Sequence, residues 1–190
     1  MNLNEKKFLV VGTGISGIAA TKLLVSRKFP VILYDDNKEL KIEEIRKKSV
    51  LLEQVEILAG ELPGRVLSDC DIAVFSPGVP TDTPMADAMR QAGMKIWGEI
   101  ELAYAFEKGQ VLAVTGTNGK TTTTSLLGKI MMHAGLEVKV VGNIGIPYTS
   151  LVCDTTKDSV TVAEISSFQL ETVHEFCPQV SAILNITPDH

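Results

Sequence analysis

The residues best suited to chemistry lie in a glycine-bearing turn that follows an apolar run near the middle of the sequence. Only two residues separate Gly116 from Gly119, so the turn is shorter than the common P-loop, G-x-x-x-x-G-K-[ST]. Backbone amides and the Lys120 ammonium can neutralise phosphate oxygens, and the Thr121 hydroxyl can bind Mg²⁺. We predict that phosphate is bound by Gly116, Thr117, Asn118, Gly119, Lys120, Thr121 and Thr122. The alternative is a run of threonines that merely caps a helix.

Another glycine turn, Gly12-Thr13-Gly14-Ile15-Ser16-Gly17, follows an apolar run near the N-terminus; along the chain it is the first glycine turn, and the turn at 116–122 is the second. Its G-x-G-x-x-G pattern lets backbone amides approach a phosphate at the N-terminus of a helix. Asp35 and Asp36 end the next apolar run, at the spacing where an acidic side chain reaches a ribose hydroxyl. These residues alone leave three interpretations open: an NAD or FAD site, a site for another nucleotide, or a purely structural turn.

The segment Ser76-Pro77-Gly78 follows another apolar run and is predicted to lie on the same sheet edge as the first glycine turn. Ligands of open α/β sheets bind along that edge. A plain turn rich in proline and glycine is the alternative interpretation.

Apolar runs alternate with helical patterns along the whole chain. We predict strands at 8–11, 31–34, 72–75, 95–97, 110–115, 137–141, 160–164 and 180–186, and helices at 15–26, 38–48, 85–92, 99–107 and 120–134. This alternation predicts an α/β fold with parallel sheets and helices on both faces. Because each glycine turn opens its own strand–helix unit, we predict two domains, at 1–97 and 98–190.

The composition fits a globular protein that works on small molecules in the cytoplasm. The 190 residues are 45% hydrophobic and 22% charged, and the net charge of −5 argues against nucleic-acid and membrane partners. The three cysteines have no C-x-x-C spacing, which suits a reducing compartment without disulfides or zinc. The first apolar run is too short for a signal peptide.

Several motifs together resemble the Mur ligase superfamily. They are the shortened loop at 116–122, Gly-Asn-Ile-Gly at 142–145, Glu-Ile-Ser-Ser-Phe-Gln-Leu-Glu at 164–171 and Leu-Asn-Ile-Thr-Pro-Asp-His at 184–190. The Ser-Ser-Phe-Gln-Leu stretch resembles the branch that adds D-glutamate, since sister ligases carry other residues after the acidic one. The resemblance covers essentially the whole chain but only the first part of such an enzyme. It implies a Rossmann-like N-terminal domain followed by the beginning of a P-loop-type ATP-binding domain, which is truncated here.

The resemblance implies an enzyme that uses ATP and Mg²⁺ to join D-glutamate to UDP-N-acetylmuramoyl-L-alanine through an acyl phosphate, in peptidoglycan precursor synthesis. Such a ligase is expected to be a cytoplasmic monomer when full length, and this chain alone is expected to be inactive. A Mur ligase that adds L-alanine or a diamino acid, and a non-catalytic nucleotide-binding module, remain as alternatives. An NAD(P)-dependent oxidoreductase leaves the second glycine turn unexplained.

The resemblance also assigns the site residues. The first glycine turn then holds the uridine nucleotide of the substrate and no redox cofactor. The residues implied to bind the substrate are Gly14, Ile15, Ser16, Asp35, Asp36, Ser76, Gly78, Asn143, Ser166 and Gln169. Lys120 is implied to neutralise the β- and γ-phosphates of ATP, and Thr121 to hold one Mg²⁺. Glu164 and His190 are implied to hold a second Mg²⁺, although a glutamate at a strand end can also be a simple surface acid.

Overall fold

The computed structural model describes residues 3–143 and 145–187, whose strands form two parallel sheets, one after the other along the chain. The first sheet has the order β3-β2-β1-β4-β5. Its strands are β1 (Phe8–Val11), β2 (Val31–Asp35), β3 (Glu56–Ala59), β4 (Ile72–Phe75) and β5 (Lys95–Gly98), and its helices are α1 (Ile15–Ser26), α2 (Ile42–Arg46), α3 (Gly64–Asp69) and α4 (Pro84–Gln91). The strand order reverses between β1 and β4, so a ligand crevice is expected beyond their carboxyl ends.

The second sheet has the order β7-β8-β6-β9. Its strands are β6 (Gln110–Thr115), β7 (Glu137–Gly142), β8 (Ser159–Glu164) and β9 (Val180–Ile183), accompanied by α5 (Glu99–Tyr104), α6 (Lys120–His133), α7 (Tyr148–Leu151) and α8 (Ser167–Leu170). Strand β6 pairs with β8 on one side and with β9 on the other. The turn after β6 therefore lies between the ends of β8 and β9.

Burial is most complete in three inner strands of the two sheets. Every residue of β1, β4 and β8 is buried, which is expected for parallel strands covered on both faces. One continuous core joins the two sheets, because Phe8 and Trp97 of the first pack in the same cluster as Val111 and Ile165 of the second. The α/β fold class with parallel sheets is confirmed.

Three of the predicted elements are shorter in the structure by more than one residue. The helix predicted at 38–48 is reduced to Ile42–Arg46, and the strand predicted at 180–186 ends at Ile183. After Ile183 the chain turns towards the phosphate loop, since the Thr117 amide donates to the carbonyl oxygen of Asn185 at 3.1 Å. The helix predicted at 99–107 ends at Tyr104, and strand β3 was not predicted at all. The domain boundary at 97/98 stays a prediction.

Helix α6 has 14 residues. Among residues 3–143 and 145–187, no helix has the length and apolar character that a bilayer crossing requires.

Candidate nucleotide and phosphate sites

The first glycine turn is closed by its own backbone and by an aspartate from the next strand. A Cβ atom at Gly17 would lie 1.8 Å from the carbonyl oxygen of Gly12, so only glycine fits where α1 meets the turn. The amide and the hydroxyl of Thr13 both donate to Asp35 Oδ2, at 2.9 and 2.7 Å. Burial would raise the pKa of Asp35, but hydrogen bonds from Thr13 and Asn37 outweigh burial and leave the pKa below its ordinary value. Asp35 therefore acts first as a clamp on the turn.

Helix α1 begins directly after this turn and presents an open N-terminus. No side chain caps the helix, and its first turn contains no acidic residue. Amide groups at such an end carry a partial positive charge and can bind an anion.

Most of the predicted substrate residues line a single cavity of about 460 Å³. They are Gly14, Ile15, Ser16, Asp35, Ser76 and Gly78 from the edge of the first sheet, together with Asn143 and Gln169 from the second sheet's side. This volume lies within the range of small-molecule sites. Neither Asp36, which is exposed, nor Ser166 is among the lining residues. We call this cavity the cleft.

The cleft continues into a second cavity of about 440 Å³, which shares Ser76, Gly78, Glu99 and Gln169 with it. Ser76 Oγ is buried and has no hydrogen-bond partner among the described residues, so it is available to a ligand. Among the described residues, no lysine or arginine lines the cleft. An anion there would be bound by backbone amides and the helix N-terminus rather than by a cationic side chain.

A capping box shapes the Ser-Ser-Phe-Gln motif, which contributes Gln169 to the lining of the cleft. The Gln169 amide donates to Ser166 Oγ at 3.3 Å, and the Ser166 amide donates to Gln169 Oε1 at 2.9 Å. Gln169 is only 5% exposed, yet it lines both cavities. Ser166 therefore orients Gln169 in the structure.

The second glycine turn is held by the segment that follows β9. The Asn118 amide donates to Asn185 Oδ1, and Asn185 Nδ2 donates back to the Asn118 carbonyl oxygen, each at 2.9 Å. Gly116 and Gly119 have φ values of +138° and +84°, a region that favours glycine. Because Asn185 occupies the Asn118 amide, the amides free for phosphate lie further along, at the start of α6.

Lys120 lies over this turn: its Nζ donates to the carbonyl oxygens of Gly116 and Thr117, at 2.7 and 3.0 Å. Helix α6 has no side-chain cap and no acidic residue in its first turn. The amides of Lys120, Thr121 and Thr122 precede the helical bond from Thr123 to Gly119, so they point out of the helix end without a helical acceptor. The ammonium, these amides and the exposed hydroxyl of Thr121 form a compact group of donors of the kind that binds phosphate.

Glu164 ends β8 beside this turn, because β8 pairs with β6 in a register that sets Glu164 opposite Val114. The residue is 1% exposed, and its Oε1 accepts a hydrogen bond from Asn143 Nδ2 at 2.9 Å. Its other oxygen, Oε2, is buried without a partner among the described residues. An unpaired buried carboxylate oxygen is costly, and a cation would satisfy it.

The donor set at Glu164 suits Mg²⁺, which binds proteins through one or two carboxylates and completes its shell with water and phosphate oxygens. Within residues 3–143 and 145–187, no cluster of three or more His, Cys, Asp or Glu side chains could hold a metal. His190, the predicted second ligand, lies outside the described residues.

Comparison with known proteins identifies the class. The family model of the Mur ligase MurD-like N-terminal domain matches residues 6–98, and that of the Mur ligase middle domain matches residues 114–190. The chain therefore belongs to the Mur ligases, with a MurD-like N-terminal domain.

Among solved structures, the chain resembles the UDP-N-acetylmuramate-alanine ligase of Thermotoga maritima, with TM-score 0.54 and 23% identity over 97% of this chain and 42% of that one. A UDP-N-acetylmuramate:L-alanyl-gamma-D-glutamyl-meso-diaminopimelate ligase from Neisseria meningitides shares the fold at TM-score 0.55 and 19% identity, covering 97% of this chain and 62% of that one.

Curated relatives at higher identity carry one name. UDP-N-acetylmuramoylalanine–D-glutamate ligases from Lachnoclostridium phytofermentans and Lachnospira eligens are each 54% identical to this chain over all of its 190 residues. The chain spans 42% of the length of each of these relatives.

Proposed function

We propose that this chain supplies the uridine-substrate site and the ATP loop of a ligase that joins D-glutamate to UDP-N-acetylmuramoyl-L-alanine in peptidoglycan precursor synthesis. The observation that carries the proposal is the cleft, where the first glycine turn meets Asn143 and Gln169. The two relatives named above support the choice of reaction. We assign the activity to the complete ligase, meaning this chain together with the further residues that its relatives possess. Residues 1–190 alone are expected to be inactive.

The cleft is proposed to hold the uridine diphosphate portion of the substrate. Backbone amides at Gly14, Ile15 and Ser16 would face the diphosphate, while the nucleoside would lie towards Asp35 and Asp36. Ser76 Oγ, which is buried without a partner among the described residues, would donate to the ligand. We prefer a uridine nucleotide to NAD or FAD, and the two matching family models support this choice because both describe Mur ligases.

The second turn is proposed to bind the β- and γ-phosphates of ATP. Lys120 would exchange its two carbonyl acceptors for phosphate oxygens, and the amides at the start of α6 would bind the remaining charge. Thr121 would present its hydroxyl to the Mg²⁺ that accompanies ATP. This turn neutralises charge, and therefore it serves the step in which two anions must meet.

Glu164 is proposed to hold Mg²⁺ through its unpaired oxygen, while Asn143 fixes the other oxygen. The ion would supply positive charge between the substrate carboxylate and the γ-phosphate. His190 is proposed as a further ligand on the resemblance alone. These residues then have separate tasks. Asn143 orients the Glu164 carboxylate, and Lys120 stabilises the charge that shifts onto the β-phosphate of ATP.

The proposed reaction has two steps. An oxygen of the L-alanine carboxylate attacks the γ-phosphorus of ATP, so that an acyl phosphate forms and ADP leaves. The amine of D-glutamate then attacks the acyl carbon, and phosphate leaves with the formation of an amide bond. The first step brings one anion onto another, so neutralisation and alignment of the reactants are the main contributions required of the protein.

The test is a phosphate-release assay on the complete ligase, with ATP, UDP-N-acetylmuramoyl-L-alanine and a panel of amino acids. We expect release that depends on D-glutamate. Absence of D-glutamate-dependent release would contradict the assignment, and release with UDP-N-acetylmuramate and L-alanine would instead assign the chain to an L-alanine-adding Mur ligase. For residues 1–190, a thermal-shift experiment should show stabilisation by UDP and none by NAD. A ligand at 100 times its Kd adds about 2.7 kcal/mol to the free energy of unfolding, which is readily measured.

A further inference from the structure

Helix α5 carries two buried glutamates that contact different segments of the chain. Glu99 is 2% exposed, and its Oε1 accepts hydrogen bonds from the amide and the hydroxyl of Thr149, at 2.6 and 2.7 Å. Glu101 is 1% exposed and accepts the backbone amides at residues 174–176. Of these two glutamates, Glu99 lines the cleft and its neighbouring cavity, and Glu101 lines neither. The two residues therefore offer a matched pair, equal in burial and different in location.

The Glu99 carboxylate is costly for the fold. Burial raises its pKa, although hydrogen bonds from Thr149 and Tyr148 act in the opposite direction. Among the described residues, no lysine or arginine forms an ion pair with it. Burying a carboxylate without a cation destabilises a protein, and such residues are found more often at functional sites than elsewhere.

Glu99 holds one end of the segment that forms the far wall of the cleft. Thr149 belongs to α7. Just before α7 the cleft is lined by Asn143, Gly145 and Pro147, with Gly142 at the end of β7. The other end of this segment is fixed at β8, since the Asn143 amide donates to the Glu164 carbonyl oxygen at 3.0 Å. A Cβ atom at Gly142 would lie 2.1 Å from that same oxygen, so the backbones are in close contact there.

We infer that Glu99 is a positioning residue, which acts through Thr149 to hold the segment between β7 and α7 against the uridine-substrate cleft. The segment in turn carries Asn143, whose side chain donates to Glu164. Loss of the contact between Glu99 and Thr149 would let the far wall move away from the substrate. The inference rests on the proposed function in that it takes the cleft to be the uridine-substrate site.

The first test measures UDP binding to residues 1–190 by calorimetry, which requires no ligase activity. Glu99→Ala should weaken UDP binding about tenfold, the effect of losing roughly one to two hydrogen bonds. Glu99→Gln keeps an oxygen that can accept from Thr149, so its Kd should stay within about threefold of the wild-type value. Glu101→Ala removes an equally buried carboxylate away from the cleft and should change the Kd by less than about twofold.

The outcomes decide the matter. An equal loss of UDP affinity in Glu101→Ala and Glu99→Ala would overturn the inference, because both glutamates would then serve only general stability. A Glu99→Gln variant as weak as Glu99→Ala would also overturn it. If Glu99→Ala does not fold, Thr149→Val decides instead: it keeps the shape and removes the hydroxyl donor, and an unchanged Kd would contradict the inference.

The second test uses the complete ligase and separates two Michaelis constants. In Glu99→Ala, KM for UDP-N-acetylmuramoyl-L-alanine should rise about tenfold while KM for ATP stays within about twofold, since a positioning role at the cleft affects one substrate. A parallel rise in both constants would contradict it. If the wild-type ligase turns over no D-glutamate but residues 1–190 bind UDP, the proposed reaction fails while the calorimetric test still judges Glu99.

Discussion

The two glycine turns of this protein have similar backbone geometry but differ in the charge of their side chains. Each turn joins an inner strand of its sheet to a helix with an uncapped N-terminus. Each is also clamped by a polar side chain at or just beyond the carboxyl end of another strand of the same sheet. Asp35 clamps the first turn and Asn185 the second. Only the second turn carries a lysine, whereas the part of the chain that the structure describes places no lysine or arginine in the cleft beside the first.

This difference indicates how binding and catalysis can be divided between two similar turns. Amides and a helix N-terminus suffice to bind a diphosphate that does not react. A phosphoryl group under transfer needs a full positive charge in addition, because negative charge shifts during the reaction. We therefore expect the first turn to govern affinity for the uridine substrate and the second to govern turnover.

The largest expected effect follows from removal of the charge that distinguishes the second turn. Lys120→Ala in the complete ligase should abolish measurable turnover and leave binding of the uridine substrate nearly unchanged. The Lys120 ammonium donates to the second turn, whereas the proposed uridine site is the cleft beside the first turn, which Lys120 does not line. Phosphate release and calorimetry measure the two effects. Lys129→Ala, an exposed lysine of the same helix, is the control. Equal loss of both properties would refute the division between the turns.

The next effect concerns the unpaired oxygen of Glu164. Glu164→Gln retains the shape and removes the charge, so turnover should fall by about two orders of magnitude or more if the residue holds Mg²⁺. Raising Mg²⁺ or replacing it with Mn²⁺ should restore part of the activity. Rates equal to wild type at ordinary Mg²⁺ would show that Glu164 is a structural acid, and the metal assignment would fall.

A smaller effect is expected from the clamp on the second turn. Asn185→Ala removes both hydrogen bonds to Asn118, so the turn should lose its order and KM for ATP should rise about tenfold. The uridine KM should stay constant, because Asn185 does not line the cleft. Steady-state kinetics on the complete ligase measures both constants. A rise confined to KM for the uridine substrate would mean that Asn185 supports the uridine site and not the proposed ATP site.

The sequence predicted the two turns and their flanking elements because those features are local. Strands β1, β4 and β6 and helix α1 have the predicted limits, since each is an apolar or helical run that ends at a glycine, a proline or a polar turn residue. Strand β3 was missed because Glu56–Ala59 is short and begins with a charged residue. Its place at the sheet edge depends on pairing with β2 rather than on its own pattern.

The clamps and the cleft wall could not be predicted, because they depend on contacts between distant residues. Asn118 and Asn185 are 67 positions apart, and Glu99 and Thr149 are 50 apart. A glutamate in the first turn of a helix ordinarily stabilises the helix dipole, so Glu99 gave no signal of its own. Asp35 was predicted at the nucleotide site. The structure adds that its first contact is with Thr13, a role that the G-x-G-x-x-G pattern does not reveal.

The weakest effect is expected at Asp35, the clamp on the first turn. The pH dependence of the protein's stability tests whether the charge of Asp35 contributes to it. The folded-state pKa of Asp35 lies below the ordinary value of 3.8, so its contribution to stability is complete above pH 3.8 and is lost as the pH falls through the folded-state value. Asp35→Asn in residues 1–190 should therefore lower the Tm at pH 7, and the difference from wild type should shrink on acidification below pH 3.8. Asp36→Asn is the control. Because Asp36 is exposed, the Tm of this variant should match that of the wild-type protein at every pH tested. A difference for Asp35→Asn that stays constant down to pH 2.5 (about one unit below the ordinary pKa) would show that the clamp acts through hydrogen-bond geometry and not through its charge. The two turns would then be fixed by the same neutral means, and only Lys120 would distinguish them.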